Sequence, residues 1–115
     1  MTALDWVAVP LLGGLAATAR FMLIASPRWN FYTGTFVVNI SGSLILGLLA
    51  GAALSGDAEI VLGSATIGSY TTFSTWMFET YHLASEKKRA VAAANVILSL
   101  AVGLGALTLG HLITA

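Results

Sequence analysis

Four apolar runs, each about 20 residues long, fill this chain and leave only short polar loops between them. Leu4 to Ala25 is apolar until Arg20. A loop with Pro27, Arg28 and Asn30 follows, then a second run to Leu54. Ser55, Gly56, Asp57 and Glu59 form the next loop, and Ile60 to Leu83 carries a single charge, Glu79. SEKKR (Ser85 to Arg89) precedes the last run, Ala90 to Ile113. That pattern predicts an all-α integral membrane domain spanning 1–115, with helices over about 4–25, 32–54, 60–83 and 90–113. Nothing is left over for a second domain.

Composition supports the lipid reading. The chain has 115 residues, 57% hydrophobic and 9% charged, with mean hydropathy +0.89. Soluble domains carry about 25% charged residues, and so small a domain could not hide this much apolar surface from water. Net charge is zero, so no basic field invites nucleic acid. With no cysteine, disulfides, thiolate metal sites and cysteine nucleophiles are excluded. The N-terminus has no positive segment of the kind a signal peptide carries, so the first run is expected to be retained.

With four spans, both termini and the Asp57 loop share one side. All five basic residues, Arg20, Arg28, Lys87, Lys88 and Arg89, fall on or near the other. The positive-inside rule then predicts both termini outside a cell membrane crossed four times. Small residues recur at four-residue spacing: Gly47/Gly51, Ser64/Gly68 and Ser99/Gly103. In lipid such pairs let helix backbones approach, and their number suggests an oligomer.

Polar residues also sit inside the runs. Thr35, Asn39, Gly42 and Ser43 share one face of the second helix, and Asn95, Ser99 and Gly103 one face of the fourth. In a bilayer they must bond to one another or line a wet path. The third run holds GSYTTFSTW (Gly68 to Trp76), with hydroxyls at Thr71, Thr72, Ser74 and Thr75. Such residues compete with helical hydrogen bonds, so the third helix is expected to break near Thr71 to Ser74. With no acid in mid-membrane, proton or cation relays lack material. Hydroxyl and amide donors and aromatic ring edges suit a small anion instead.

Three stretches give the chain a family resemblance. GGLAATAR (Gly13 to Arg20), GTFVVNISGSLILG (Gly34 to Gly47) and GSYTTFSTWMFE (Gly68 to Glu79) resemble motifs of the Fluc/CrcB fluoride channel family, over essentially the whole chain. The resemblance implies a passive fluoride channel that exports fluoride and lowers its cytoplasmic concentration. It implies an antiparallel dimer with two pores and a structural Na+ at its centre. Asn39, Phe73, Ser74, Thr75, Trp76, Thr35, Asn95 and Ser99 would line the pore, Trp76 taking the place of a second phenylalanine. Gly68 and Thr71 would offer carbonyls to Na+, Arg20 would be structural, and Glu79 would stand in the vestibule. The basic bias adds an expectation: the second subunit is either a copy of this chain or an oppositely oriented homologue.

Two other readings compete. A small proton-coupled multidrug exporter would want a buried carboxylate in the first helix, where only Asp5 stands, at its very start. A non-conducting structural subunit would explain the small residues but not Asn39 together with TTFST. An enzyme finds little material, because His82 and His111 lie at helix ends.

Overall fold

Helix α1 (Ala3–Ile24) starts on a capping box: the Thr2 hydroxyl accepts from the Asp5 N–H at 3.3 Å, and the Asp5 carboxylate accepts from the Thr2 N–H at 2.8 Å. The computed structural model describes residues 1–115, the side chain of Phe31 excepted. At the far end of α1, the Trp29 indole N–H donates to the Leu23 carbonyl at 2.7 Å, joining the Ser26 N–H that reaches it at 3.3 Å. Helix α2 (Phe31–Gly51) stops short of the expected Leu54. The Ala53 N–H reaches the Ala50 carbonyl and the Leu54 N–H reaches the Leu49 carbonyl, with Ala53 in the left-handed region at φ 56°. This is a Schellman closure with alanine in the place glycine usually takes.

The third run crosses in two pieces. Its first half, α3, covers residues 56–70 in three joined stretches: Gly56–Ala58, a wider π-helical stretch Glu59–Ile67, and Gly68–Tyr70. The sequence carries no signal for the π-helical winding, whose hydrogen bonds span five residues; the Thr66 hydroxyl likewise reaches back five, to Val61. After an interruption at 71–73 the chain resumes as α4 (Ser74–Ser85), and α5 (Arg89–Thr114) is the last span. A second Schellman closure ends α4: Lys87, at φ 62°, donates to the Ala84 carbonyl, and Lys88 to the Leu83 carbonyl. The fold is therefore all-α with four membrane passages, the third broken near its middle. Helices at Ala3–Ile24, Tyr32–Gly51 and Arg89–Thr114 are long and apolar enough to cross a bilayer unaided.

Connectivity places the chain ends together. The Met1 amino group lies 3.5 Å from the Asp57 carboxylate, and the Thr114 hydroxyl donates to the Leu48 carbonyl at 2.8 Å. Both termini thus share one end with the Asp57 loop. Tyr32, Thr33 and Val91 border a common pocket at the other.

Polarity is arranged for lipid. Trp6, Leu11, Leu15, Phe21 and Met22 on α1 are all more than half exposed, while Thr35, Thr72, Glu79 and Asn95 are buried beside Val38 and Leu83. Water-driven burial cannot hold such helices together, so close contact must. Helices α2 and α5 make it through glycine. A Cβ on Gly110 would strike the Leu44 carbonyl and stand 2.8 Å from the Leu48 nitrogen; one on Gly47 would strike the Leu107 carbonyl. These obstacles are backbone and cannot rotate away. Gly110→Ala is expected to cost about 1–3 kcal/mol, the usual penalty of overpacking. Gly105→Ala, on the same helix with nothing within 4 Å of the added carbon, is expected to cost nothing. Thermal unfolding of both variants in one detergent checks the contrast.

Candidate functional site

Interrupting a helix in hydrocarbon strands its N–H and C=O groups, and each must find another partner. The sequence supplies them. Thr71 turns to an extended conformation, ψ 161°, while its hydroxyl bonds back to the Ile67 carbonyl at 3.1 Å. The Thr72 N–H leaves the helical ladder and donates to Asn39 Oδ1 at 2.8 Å; Asn39 Nδ2 donates to the Thr72 carbonyl at 2.9 Å. One amide side chain thus satisfies both polar groups of one backbone residue. The Thr72 hydroxyl accepts from the Thr75 N–H at 3.2 Å and so caps α4. Arg20 closes the set from α1, its guanidinium 3.4 Å from the Thr71 carbonyl.

Small residues let these groups meet. A Cβ on Gly42 would strike the Thr71 methyl and come within 3.3 Å of the Tyr70 ring. A Cβ on Gly13 would stand 3.2 Å from the Ser69 hydroxyl. Tyr70, whose hydroxyl lies 2.9 Å from that of Ser41, ties the end of α3 to α2.

Beside the break runs an open groove of about 530 Å³ between α2, α3 and α5. It brings together Asn39, Gly68, Thr71, Phe73, Trp76 and Ser99 from the expected set. The Ser99 hydroxyl is buried and has no hydrogen-bond partner among the described residues. Asn39 spends one of its two amide hydrogens on Thr72 and retains the other. Phe73 is 70% exposed, and its ring meets Trp76 edge to face, centroids 5.7 Å apart at 81°. The groove therefore offers neutral donors and ring edges, with a carboxylate only at Glu59 on its border.

Other expected residues lie elsewhere. Asn95 faces away from the groove, toward a smaller apolar pocket, and donates to the Thr80 hydroxyl at 2.9 Å. Interhelical hydrogen bonding, one of the two roles open to it, is the role this chain displays. Thr35, only 1% exposed, sits within hydrogen-bonding reach of the Glu79 carboxylate, itself 4% exposed with Oε1 unpartnered among the described residues. Ser74 is exposed, and the Thr75 hydroxyl, which lies outside the groove lining, accepts from the Thr72 hydroxyl at 3.1 Å. Sequence reasoning gave no role to Thr80. An asparagine in mid-membrane was the available signal, since it demands a partner on a neighbouring helix.

Thr72 donates to Asn39 and Thr75 to Thr72, so the Gly68 and Thr71 carbonyls both lose their helical donors, and the Thr71 carbonyl accepts from the Arg20 guanidinium instead. Unwound carbonyls of this kind are the ligands Na+ takes in membrane proteins.

Fold and groove together define the class: a small multi-pass membrane protein organised around a broken third helix. The family model described as CrcB-like protein, Camphor Resistance (CrcB), matches residues 7–111. The chain is 41% identical to Fluoride-specific ion channel FluC 2 of Mycobacterium bovis, over 96% of this chain and 91% of that one. It is 37% identical to Fluoride-specific ion channel FluC 1 of Symbiobacterium thermophilum, over 93% and 94%. With Fluoride-specific ion channel FluC of Methylobacillus flagellatus it shares 38% identity over 89% and 88%. The chain belongs to the CrcB family.

Asn39→Leu removes both bonds to Thr72 and leaves two buried backbone groups unsatisfied, at about 1–3 kcal/mol each. It is expected to lower the unfolding temperature sharply. Ser43→Ala, which removes only a bond within α2 to the Asn39 carbonyl, is expected to change it little. Thermal scans of the purified variants decide.

Proposed function

We propose that this chain forms a passive, fluoride-selective channel that lets fluoride leave the cell down its gradient. One observation carries the reading: the buried, unpartnered Ser99 hydroxyl shares a groove with the spare Asn39 amide hydrogen and the rings of Phe73 and Trp76. A dehydrating anion needs several weak donors in sequence, because one strong site would trap it. The relatives, named fluoride-specific ion channels, supply the identity of the anion.

A second subunit, inverted relative to the first, completes the path. The groove lies open along one side of the single chain, and the Phe73 ring stands largely uncovered. Placed across the break, an inverted copy would bring its own Gly68 and Thr71 carbonyls to those of the first. A structural Na+ held there would neutralise the oxygens that the interrupted helices expose. The basic bias favours one orientation, termini outside, and therefore a differently oriented homologue as the natural partner.

Purified chain in liposomes, with chloride as control, tests the function. Rapid efflux of fluoride but not chloride supports the channel and makes a homodimer sufficient. Efflux that needs an oppositely biased homologue supports the heteromer. Failure under both conditions sinks the fluoride reading and favours a structural subunit.

Orientation has its own test, because the chain has no cysteine. Ser55→Cys is expected to react with a membrane-impermeant maleimide on intact cells, and Ser85→Cys only after lysis. Equal labelling of the two would mean insertion both ways and remove the case for a heteromer.

A further inference from the structure

Trp76 brings to the groove the one indole N–H that borders it, and that donor is occupied elsewhere. It points at α5 and donates to the Asn95 backbone carbonyl at 3.2 Å. The Asn95 side-chain amide donates to the Thr80 hydroxyl at 2.9 Å, and that hydroxyl donates to the Trp76 carbonyl at 2.8 Å. The three bonds form a closed circuit between α4 and α5, with Asn95 buried. Trp76 borders the groove and Asn95 does not. The face that Trp76 turns to the groove is therefore carbon, and its ring meets Phe73 at 81°.

We infer that Asn95 and Thr80 are positioning residues that hold the indole N–H of Trp76 away from the anion path, so that tryptophan serves there as a purely ring-edge group. The inference rests on the fluoride reading above and deepens it. A hydrogen bond to an ion is roughly twice as strong as one between neutral groups. An indole N–H turned into the groove would thus hold the anion far more tightly than a C–H edge does. Such a site slows release, and a conduction path works only if each site also lets go. The Asn95 carbonyl belongs to the backbone and is always present. The Asn95–Thr80 bond sets α4 against α5 at the height where Trp76 can reach it.

The chain has three tryptophans, so ¹⁵N labelling of full-length protein in nanodiscs gives three indole signals, and Trp76→Phe assigns one of them. The Trp76 signal is expected to exchange slowly with D2O and to stay in place as fluoride replaces chloride. Thr80→Val is expected to speed that exchange roughly tenfold, the worth of about one hydrogen bond, and Thr80→Ser to restore it. In liposomes Thr80→Val is expected to lower both the maximal fluoride flux and the half-saturating concentration, but not in a Trp76→Phe background. A Trp76 signal that moves with fluoride in the unaltered chain overturns the inference. So does a Thr80→Val flux defect that persists without Trp76. Exchange measured without fluoride tests the circuit alone, so a chain that conducts no fluoride defeats the functional reading separately.

Discussion

A backbone residue in hydrocarbon has no water to turn to, and the pairing of Asn39 with Thr72 answers that demand at the one place where a helix stops in mid-membrane. Much else in the fold serves this contact. Gly42 removes the side chain that would keep α2 from the break, and Gly13 does the same for α1. Arg20 adds a third bond, to the Thr71 carbonyl, and the Thr72 hydroxyl takes the Thr75 N–H on the far side of the break. Two amide–backbone bonds, each modest in water, matter more here because nothing in the surroundings could replace them.

The same clamp explains why the groove has the chemistry it has. The Thr71 hydroxyl donates to the Ile67 carbonyl and the Thr72 hydroxyl bridges the Thr75 N–H and the Thr75 hydroxyl, so two of the four hydroxyls in TTFST are spent within the third run. At the groove the uncommitted groups are few: the hydroxyls of Ser64 and Ser99, one Asn39 hydrogen and two rings. A site so thinly provided suits transit better than storage. Its acid-free middle and its neutral donors are the chemistry on which the proposed preference for an anion rests.

Much of this was legible beforehand. Helix number and the break at Thr71 could be read because hydrophobic runs and clustered β-branched hydroxyls are local signals. The motifs placed Asn39, Phe73, Trp76 and Ser99 together, and the groove contains all four. What could not be read depended on the partner each side chain chooses. Asn39 is expected from the motif to line a pore, and only the approach of α2 to Thr72 reveals that it also clamps the backbone. Asn95 belongs to a different face because the packing of α4 on α5 brings it to Thr80. The π-helical winding over Glu59–Ile67 has no residue pattern of its own. The early end of α2 turns on Ala53 adopting a conformation that alanine seldom takes.

Because Asn39 grips main-chain atoms, the location of the break is fixed from outside the segment that breaks. The side chain of residue 72 can change without loosening either of those two bonds. The hydroxyls of the third run weaken its helix locally and cap the piece that follows, but they leave the Thr72 peptide unpaired. That peptide finds its partner only where α2 lies alongside, so the weakness is written in one segment and its place is fixed by another.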